Sequence, residues 1–525
     1  MKHLYTLAAG LVVLLGATQA QNLGRIDTVG GTTHEWQANG HGARRLVNMS
    51  KQGIYVLWMY SASTSSTYPD RNMRCNYYDF ATRTWSWIDP DFMQSGVNVF
   101  PVRAGYGNLA ALADGSEAYA SAHIGSPTLS PAIAGLSSDS MRLGPDGYSY
   151  PVIAAGTDSA IHVAMYGYPN NDTVYYCRAW DSVTALGKCG YPTHNIAASK
   201  TSEEVIVTWV ETDVPNLQYP AYYRRSSDGG RTWGPVTLIE PPPAFGPDSV
   251  VSFSPYGVFA YFGSDGRLRL MVSVFPIVSG TYHLEVAELW HWCPDNTPQW
   301  SEVHRVSCDQ AHLLGGFGYN AFFCDRPSLG EDDDGNLYVT WEQFDSSNVE
   351  PPTGLLRAGI WVTRSSDHGR TWLPGRLITA RTTASYRYPC IVDRQIECGS
   401  EPDTVVITYE CDEVAGFWML GVGPCTFNPM ICHFWTTSDT STVGVGSTPG
   451  PGFRVHPATI IHGMLFLPEA VGGERSAVSA QLLGISGRKV LDLCPGANDV
   501  RALAPGVYFV REAQAQAVRK VVIQH

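Results

Sequence analysis

Ser226-Ser227-Asp228-Gly229-Gly230-Arg231-Thr232-Trp233 and Ser365-Ser366-Asp367-His368-Gly369-Arg370-Thr371-Trp372 are two copies of one pattern, S-x-D-x-G-x-T-W. Each residue type has a place in a tight turn between two strands. Ser and Asp oxygens fold back onto turn N–H groups, Gly supplies a left-handed backbone position, and Trp is buried beside the hairpin. The pattern predicts β-hairpins shaped by Ser226, Asp228, Gly230, Thr232 and Trp233 and again by Ser365, Asp367, Gly369, Thr371 and Trp372. It speaks for how a scaffold is built, and a function has to be argued from other residues.

Outward from these turns, short segments of alternating apolar residues recur along the chain. They begin at Ile54, Ala118, Ile161, Val205, Leu268, Leu337 and Val405, the Ala118 copy being the weakest. Several follow a turn such as Asp265-Gly266 or Asp334-Gly335 and an earlier apolar stretch, which makes a hairpin. A third strand, a Trp-ending turn and a fourth strand often come next. Tyr77 to Trp87 holds a degenerate version of the turn, and Gln299-Trp300-Ser301 reads as the end of another. Four strands per unit, each unit needing its neighbour to bury a face, is the signature of propeller blades. Seven copies favour seven blades over six. The two full turns resemble the Asp-box of the sialidase-like (BNR-repeat) β-propellers. The resemblance implies an all-β propeller over residues 21–437, with these turns on a rim away from any chemistry.

Composition agrees with that class. Gly (52) and Pro (34) are frequent among 525 residues, while only 16% are charged, as in a turn-rich all-β chain. A net charge of -13 disfavours nucleic acid and anionic membrane as partners. Lys2 and His3, the apolar run Leu4 to Leu15 and the small residues around Thr18-Gln19-Ala20 read as a secretory signal over residues 1–20. That run is too short to span a membrane, and no later segment has transmembrane length. Export makes disulfides plausible for the twelve cysteines, and Cys177 with Cys189, Cys293 with Cys308 and Cys390 with Cys398 have hairpin-scale spacing. Cys411, Cys425 and Cys432 crowd one region. No zinc spacing is found, so no metal is expected.

Residues 438–454, rich in Ser, Thr, Gly and Pro, read as a linker. Beyond it, 455–525 form a short β module, expected to be a small sandwich, with Ser486-Gly487-Arg488-Lys489-Val490, then Leu503-Ala504-Pro505-Gly506-Val507-Tyr508, then a basic-apolar end. This order resembles the C-terminal sorting domain of type IX secretion substrates. It implies a protein secreted or attached to the surface of a cell with an outer membrane, with Gly487, Arg488, Gly506, Val507 and Tyr508 as an address read by the secretion machinery.

A propeller's ligand site lies at the mouth of its channel, where the innermost strands begin. Those starts fall at Arg103 to Tyr106, Tyr148 to Pro151, Tyr191 to His194, Asp325 to Ser328 and Tyr386 to Pro389. Arg326-Pro327 and Arg387-Tyr388-Pro389 resemble the sialidase Arg-Ile-Pro opening, whose Arg grips a carboxylate. Arg103, Arg326 and Arg387 are therefore the candidate carboxylate ligands, because a guanidinium fork binds a carboxylate bidentately and stays charged. Tyr106, Tyr150, Tyr191 and Tyr388 are candidate stacking surfaces for a sugar. Asp325 is the one weak candidate for a general acid. No nucleophile with an activating Glu is identified, and Arg44 and Arg45, nearest the family's first Arg motif, lack the following Pro. Glu331 to Asn336 reads as an acidic hairpin turn, because Gly330 stands where a calcium loop needs an oxygen. No motif calls for a nucleotide or other cofactor. The favoured expectation is a secreted module that binds a glycan or an extracellular protein at the channel mouth. The alternatives are a sialidase-type hydrolase and a structural surface component.

Overall fold

The seven alternating segments read from the sequence are the second strands of seven antiparallel sheets. These strands are Gly53–Tyr60, Ala118–Ile124, Ile161–Gly167, Val205–Val210, Leu268–Val278, Leu337–Glu350 and Glu401–Asp412. The computed structural model describes residues 23–436, apart from 41–43, 51, 126–128, 139, 158, 170, 179, 191, 213, 215–217, 246–248, 309–311 and 399–400. It also describes 459–462, 464–467, 480–484, 489–494, 496–504, 506–512 and 518–524. The expected signal peptide and linker, Tyr191, Gly487 and Arg488 lie outside the described residues.

Each sheet packs its apolar face on the next. Trp58 and Trp209 show how, both fully buried on second strands. A Cβ on Gly30 would stand 2.2 Å from the Trp58 ring, and one on Gly187 would stand 2.5 Å from Trp209. Both glycines lie on the outermost strand of the preceding sheet, so a large ring and a bare backbone fit together twice. Val29, Met430 and Cys432 of the last sheet share one core with Ile54, Val56 and Trp58 of the first. The fold is a β-propeller. Its ring is closed by the strand Arg25–Thr32, which pairs antiparallel with Asn428–Thr436 as the outermost strand of the last sheet.

The two S-x-D-x-G-x-T-W turns lie in the fourth and sixth sheets, at the end opposite the starts of the inner strands. In the first, Gly230 N–H donates to Ser226 Oγ (2.8 Å), Ser226 Oγ donates to Asp228 Oδ1 (2.7 Å), and Thr232 Oγ1 donates to Asp228 Oδ2 (2.6 Å). The second repeats this with Gly369, Ser365, Asp367 and Thr371, at 2.9, 2.8 and 2.6 Å. The Thr232 donors come first among the causes that hold the Asp228 carboxyl down to about 2. Both turns also grip the sheet before them. Trp233 meets Tyr176 edge-on at 4.7 Å, and Trp372 Nε1 donates to Ser301 Oγ at 3.2 Å. In the degenerate copy, Trp85 Nε1 likewise donates to Asp27 Oδ2 at 3.0 Å. The acidic run closes on itself: Asn336 N–H and Tyr338 Oη donate to the two oxygens of Asp332.

Among the described residues the proposed disulfides are not formed: Cys177, Cys189, Cys293 and Cys390 are free thiols, as are Cys411, Cys425 and Cys432, and the Cys398 side chain lies outside the described residues. The physical reason is facing. Cys177 packs with Ile153 and Val163 between the second and third sheets, whereas Cys189 packs with Trp209 between the third and fourth. Residues close in sequence thus sit on opposite faces of one sheet.

The chain divides into two compact units at residues 440 and 441. The second contains a sheet in the order Thr459–His462, Val518–Gln524, Gly506–Glu512, Ala480–Gly484, Lys489–Leu493, its first pair parallel. Met464–Leu467 pairs with Gly496–Asp499, and Leu465, Leu482, Val510 and Ile523 form its core. Tyr508 Oη donates to the Ala504 carbonyl at 2.8 Å, and Gly506 and Val507 belong to the central strand.

Gly230 is left-handed (φ +79°), and a Cβ there would stand 1.8 Å from Tyr176 Oη. Gly280 has nearly the same φ (+76°) with nothing within 4 Å. Gly280→Ala is expected to cost about 1 kcal/mol from the backbone alone, and Gly230→Ala a further ~1–3 kcal/mol from overpacking. Urea unfolding of the two variants checks this, and equal losses would refute the inter-sheet role of the turn.

Candidate binding site at the channel mouth

Every sheet-to-sheet connection arrives where an inner strand begins, so one end of the ring carries all of these loops. The inner strands carry a shared irregularity there. Register slips between Ser149 and Val152, between Asp325 and Ser328, and between Arg387 and Cys390. Each slip contains a proline preceded by a left-handed residue: Tyr150 (φ 51°), Arg326 (φ 59°) and Tyr388 (φ 56°). Tyr106 (φ 53°), followed by Gly107, occupies the matching place in the second sheet. Left-handed non-glycine residues held at matching places are a feature of functional sites.

Arg326 and Arg387 converge, but on a carboxylate of the protein itself. Glu342, fully buried on the second strand of the sixth sheet, accepts from Arg326 Nε at 3.2 Å and from Arg387 Nε at 3.1 Å. Arg387 Nη2 adds a bond to Glu342 Oε1 (3.2 Å), and Tyr388 N–H adds one to Oε2 (2.8 Å). The remaining arms of Arg326 donate to the carbonyls of Gly40 (3.2 Å) and Asn320 (2.9 Å). Burial opposes the charge on Arg387, but Glu342 outweighs it and raises the pKa. The Tyr388 ring is buried between guanidiniums, with Arg326 4.6 Å and Arg387 5.1 Å from its centre, and burial pushes its hydroxyl pKa up. Asp325 is buried and accepts from Ser254 Oγ at 3.2 Å.

Arg103 does not join them. It stands at the second sheet and donates to the carbonyls of Tyr68 (3.2 Å) and Thr67 (3.3 Å). Arg44 and Arg45 act as internal struts. Arg44 crosses the channel to the carbonyls of Leu329 (3.0 Å) and Ile391 (3.2 Å), and Arg45 donates to the Tyr388 carbonyl.

What faces outward at the mouth is aromatic. Tyr319 stands 5.2 Å from Trp36, and Trp36 stacks on Phe417 at 5.5 Å. A second run passes from Trp418 to Tyr68 (6.1 Å), His34 (4.5 Å), Tyr106 (6.2 Å) and Tyr150 (5.3 Å). Tyr319 is 62% exposed, and Trp36, Tyr106, Tyr150 and Trp418 are half-buried, so their faces are reachable from solvent. Arg71 lies over Tyr106 at 5.3 Å and places positive charge beside the band. Burial first, then Arg71, brings the His34 and His123 pKa values down to about 3, and burial brings His194 to about 4, so all three imidazoles are neutral at pH 7.

Trp36 belongs to Thr33–Gly40, a strap that runs from the outermost strand of the last sheet across the mouth to the first sheet. Gln37 ties it down, donating to the carbonyls of His34 and Met59 and accepting the Met59 N–H at 2.8 Å. Between the strap and Tyr106, Tyr150 and His194 remains a cleft with about 30 Å³ of free volume, room for a water or two rather than a sugar ring. A ligand on this face therefore lies on the band. Trp36, Trp418 and Tyr319 escaped the sequence reading because they sit on long connections without strand periodicity.

No protein-family model matches the chain, and no curated protein matches it. Among solved structures, it is similar to a polysaccharide lyase of the PL25 ulvan lyase family (11% identity, TM-score 0.40, covering 74% of this chain and 92% of that one). It is also similar to the phage phi92 endosialidase (8% identity, TM-score 0.40, covering 93% and 81%). A third is the β-propeller domain of the Trilobed protease from Pyrococcus furiosus (8% identity, TM-score 0.36, covering 71% and 92%).

Glu342→Gln would leave two buried guanidiniums without their countercharge. The expected loss is about 3–5 kcal/mol of unfolding free energy, read by urea denaturation. A loss below about 1 kcal/mol, the range of an exposed pair, would show that the triad does not hold the mouth.

Proposed function

We propose that this protein is an exported β-propeller that binds a glycan, an acidic one by preference, on the aromatic band at its channel mouth. The observation that carries the reading is the band itself: Trp36, Tyr106, Tyr150, Tyr319 and Trp418 present reachable ring faces at the end of the ring where the inner strands begin. Flat aromatic faces with polar edges suit the apolar faces of sugar rings, and they lose little conformational entropy when covered. Arg71 beside Tyr106 and Arg103 beside Tyr68 favour a ligand carrying carboxylate or sulfate. Binding is preferred to sialidase-type hydrolysis because Arg326 and Arg387, the candidate carboxylate grips, are committed to Glu342. Export rests on the signal-like residues 1–20, and delivery by type IX secretion rests on the three C-terminal motifs, which include Gly487-Arg488, Gly506-Val507-Tyr508 and the basic-apolar end from Arg519.

A glycan array probed with the purified protein should show binding to acidic oligosaccharides. Trp36→Ala and Tyr106→Ala should each weaken the best ligand tenfold or more, about 1.4 kcal/mol. Val236→Ser, far from the band and 49% exposed, should bind as the parent does. If no array glycan binds, or if both aromatic variants bind like the parent, the reading is wrong.

A further inference from the structure

The strap is pinned at a place unusual for its charge. Glu35 lies on it, 3% exposed, and interacts electrostatically with Asp412 (4%) and Glu410 (0%) of the last sheet. Glu35 Oε2 accepts the Trp418 N–H at 2.6 Å, and Oε1 accepts from Thr426 Oγ1 at 3.5 Å. Asp412 Oδ1 accepts the Val414 N–H at 3.1 Å, and Glu410 Oε1 accepts from Asn428 Nδ2 at 3.4 Å. Three carboxyls thus share one dry pocket. The cation that faces both Asp412 and Glu410, Arg387, is already held by Glu342, and Arg45, which faces Glu410, donates to the Tyr388 carbonyl.

We propose that Thr33–Gly40 is a pH-operated cover of the channel, shut while Glu35, Asp412 and Glu410 share protons and released when that cluster ionises. Like charges in a low-dielectric pocket repel strongly, and of the segments that carry the three carboxyls the strap alone lies outside a sheet. Glu413 and Glu350 add negative charge toward Asp412, Tyr68 and Cys425 face Glu35, and Tyr68 and Tyr388 face Glu410, while Arg387 opposes Asp412 and Glu410 and Arg45 opposes Glu410. Burial first, then Asp412, pushes the Glu35 carboxyl up to about 9. Burial pushes Asp412 up to about 8 against the pull of Val414 N–H and Arg387, and Glu410 is raised well above its ordinary range. Carboxyls raised on folding contribute stability that is complete below the ordinary carboxyl range and lost as pH rises through the raised values. The strap is therefore held in acid and at neutral pH and loosens in mild alkali. Its release withdraws the Gly40 carbonyl from Arg326 and the Ala38 carbonyl from Asn320, leaving both donors open to the mouth. This inference stands apart from the identity of any ligand.

The test uses the full chain labelled with 5-fluorotryptophan, the Trp36 line being assigned by its loss in Trp36→Phe. Between pH 6 and 10 the ¹⁹F line of Trp36 should move with a midpoint between about 8 and 9. In Glu35→Gln it should keep its neutral position throughout. If Glu35→Gln does not fold, Asp412→Asn should move the midpoint down by a unit or more, because Glu35 then ionises without its neighbour's charge. A parent line that stays fixed to pH 10, a Glu35→Gln line that titrates like the parent's, or an unchanged midpoint in Asp412→Asn would each overturn the proposal.

Discussion

The constraint on which the rest depends is the closure of the ring by its first strand. Arg25–Thr32 pairs with Asn428–Thr436 through backbone hydrogen bonds and leaves the last sheet complete. Closure lets the last sheet cover the apolar face of the first, which a row of sheets would otherwise expose. It also has a geometric consequence. The chain leaves Thr32 at the outer edge of the last sheet and must reach Leu46 at the inner edge of the first, on the same end of the ring. That path crosses the mouth, and Trp36, Gln37 and Glu35 lie on it. The strap is a by-product of the closure, and its side chains turn it into a fitted part.

Charge at the mouth is turned inward. One carboxylate, Glu342, holds guanidiniums from two adjacent sheets, while Arg44 and Arg45 donate to carbonyls of the inner strands. Such groups are costly to bury unless each finds a partner. Arg326 finds one on three sides: the carboxylate of Glu342 and the carbonyls of Gly40 and Asn320. With the arginines committed, the reachable surface is left to rings: Tyr319, Trp36, Trp418, Tyr106 and Tyr150. The chemistry the mouth offers to solvent is stacking and polar edges, with the positive charge of Arg71 beside them.

Much of the scaffold was legible in the sequence because it is written locally. Alternation at Ile54, Val205 or Leu337 is a property of a few adjacent residues, and each such segment is a strand. The turn residues from Ser226 to Trp233 and from Ser365 to Trp372 make their hydrogen bonds within five positions. The starts of inner strands were legible for a related reason, since Tyr150-Pro151, Arg326-Pro327 and Tyr388-Pro389 mark the bulges there. What the sequence withheld is long-range. Nothing near Arg326 announces that Glu342 will take its charge together with that of Arg387, and nothing near Glu35 announces Asp412. The cysteine spacings misled because nearness along a strand says nothing about which face a side chain takes, and Cys177 and Cys189 take opposite ones.

The central claim is that ligand recognition belongs to the aromatic band while the Arg326–Glu342–Arg387 triad serves the fold. The most direct measurement is a crystal structure of the protein at neutral pH with its best-binding oligosaccharide. The account predicts sugar rings lying on Trp36, Tyr319 or Tyr106, with Arg326 and Arg387 still bonded to Glu342 and the strap in place. A ligand carboxylate seated on Arg326 or Arg387, with Glu342 displaced, would contradict it.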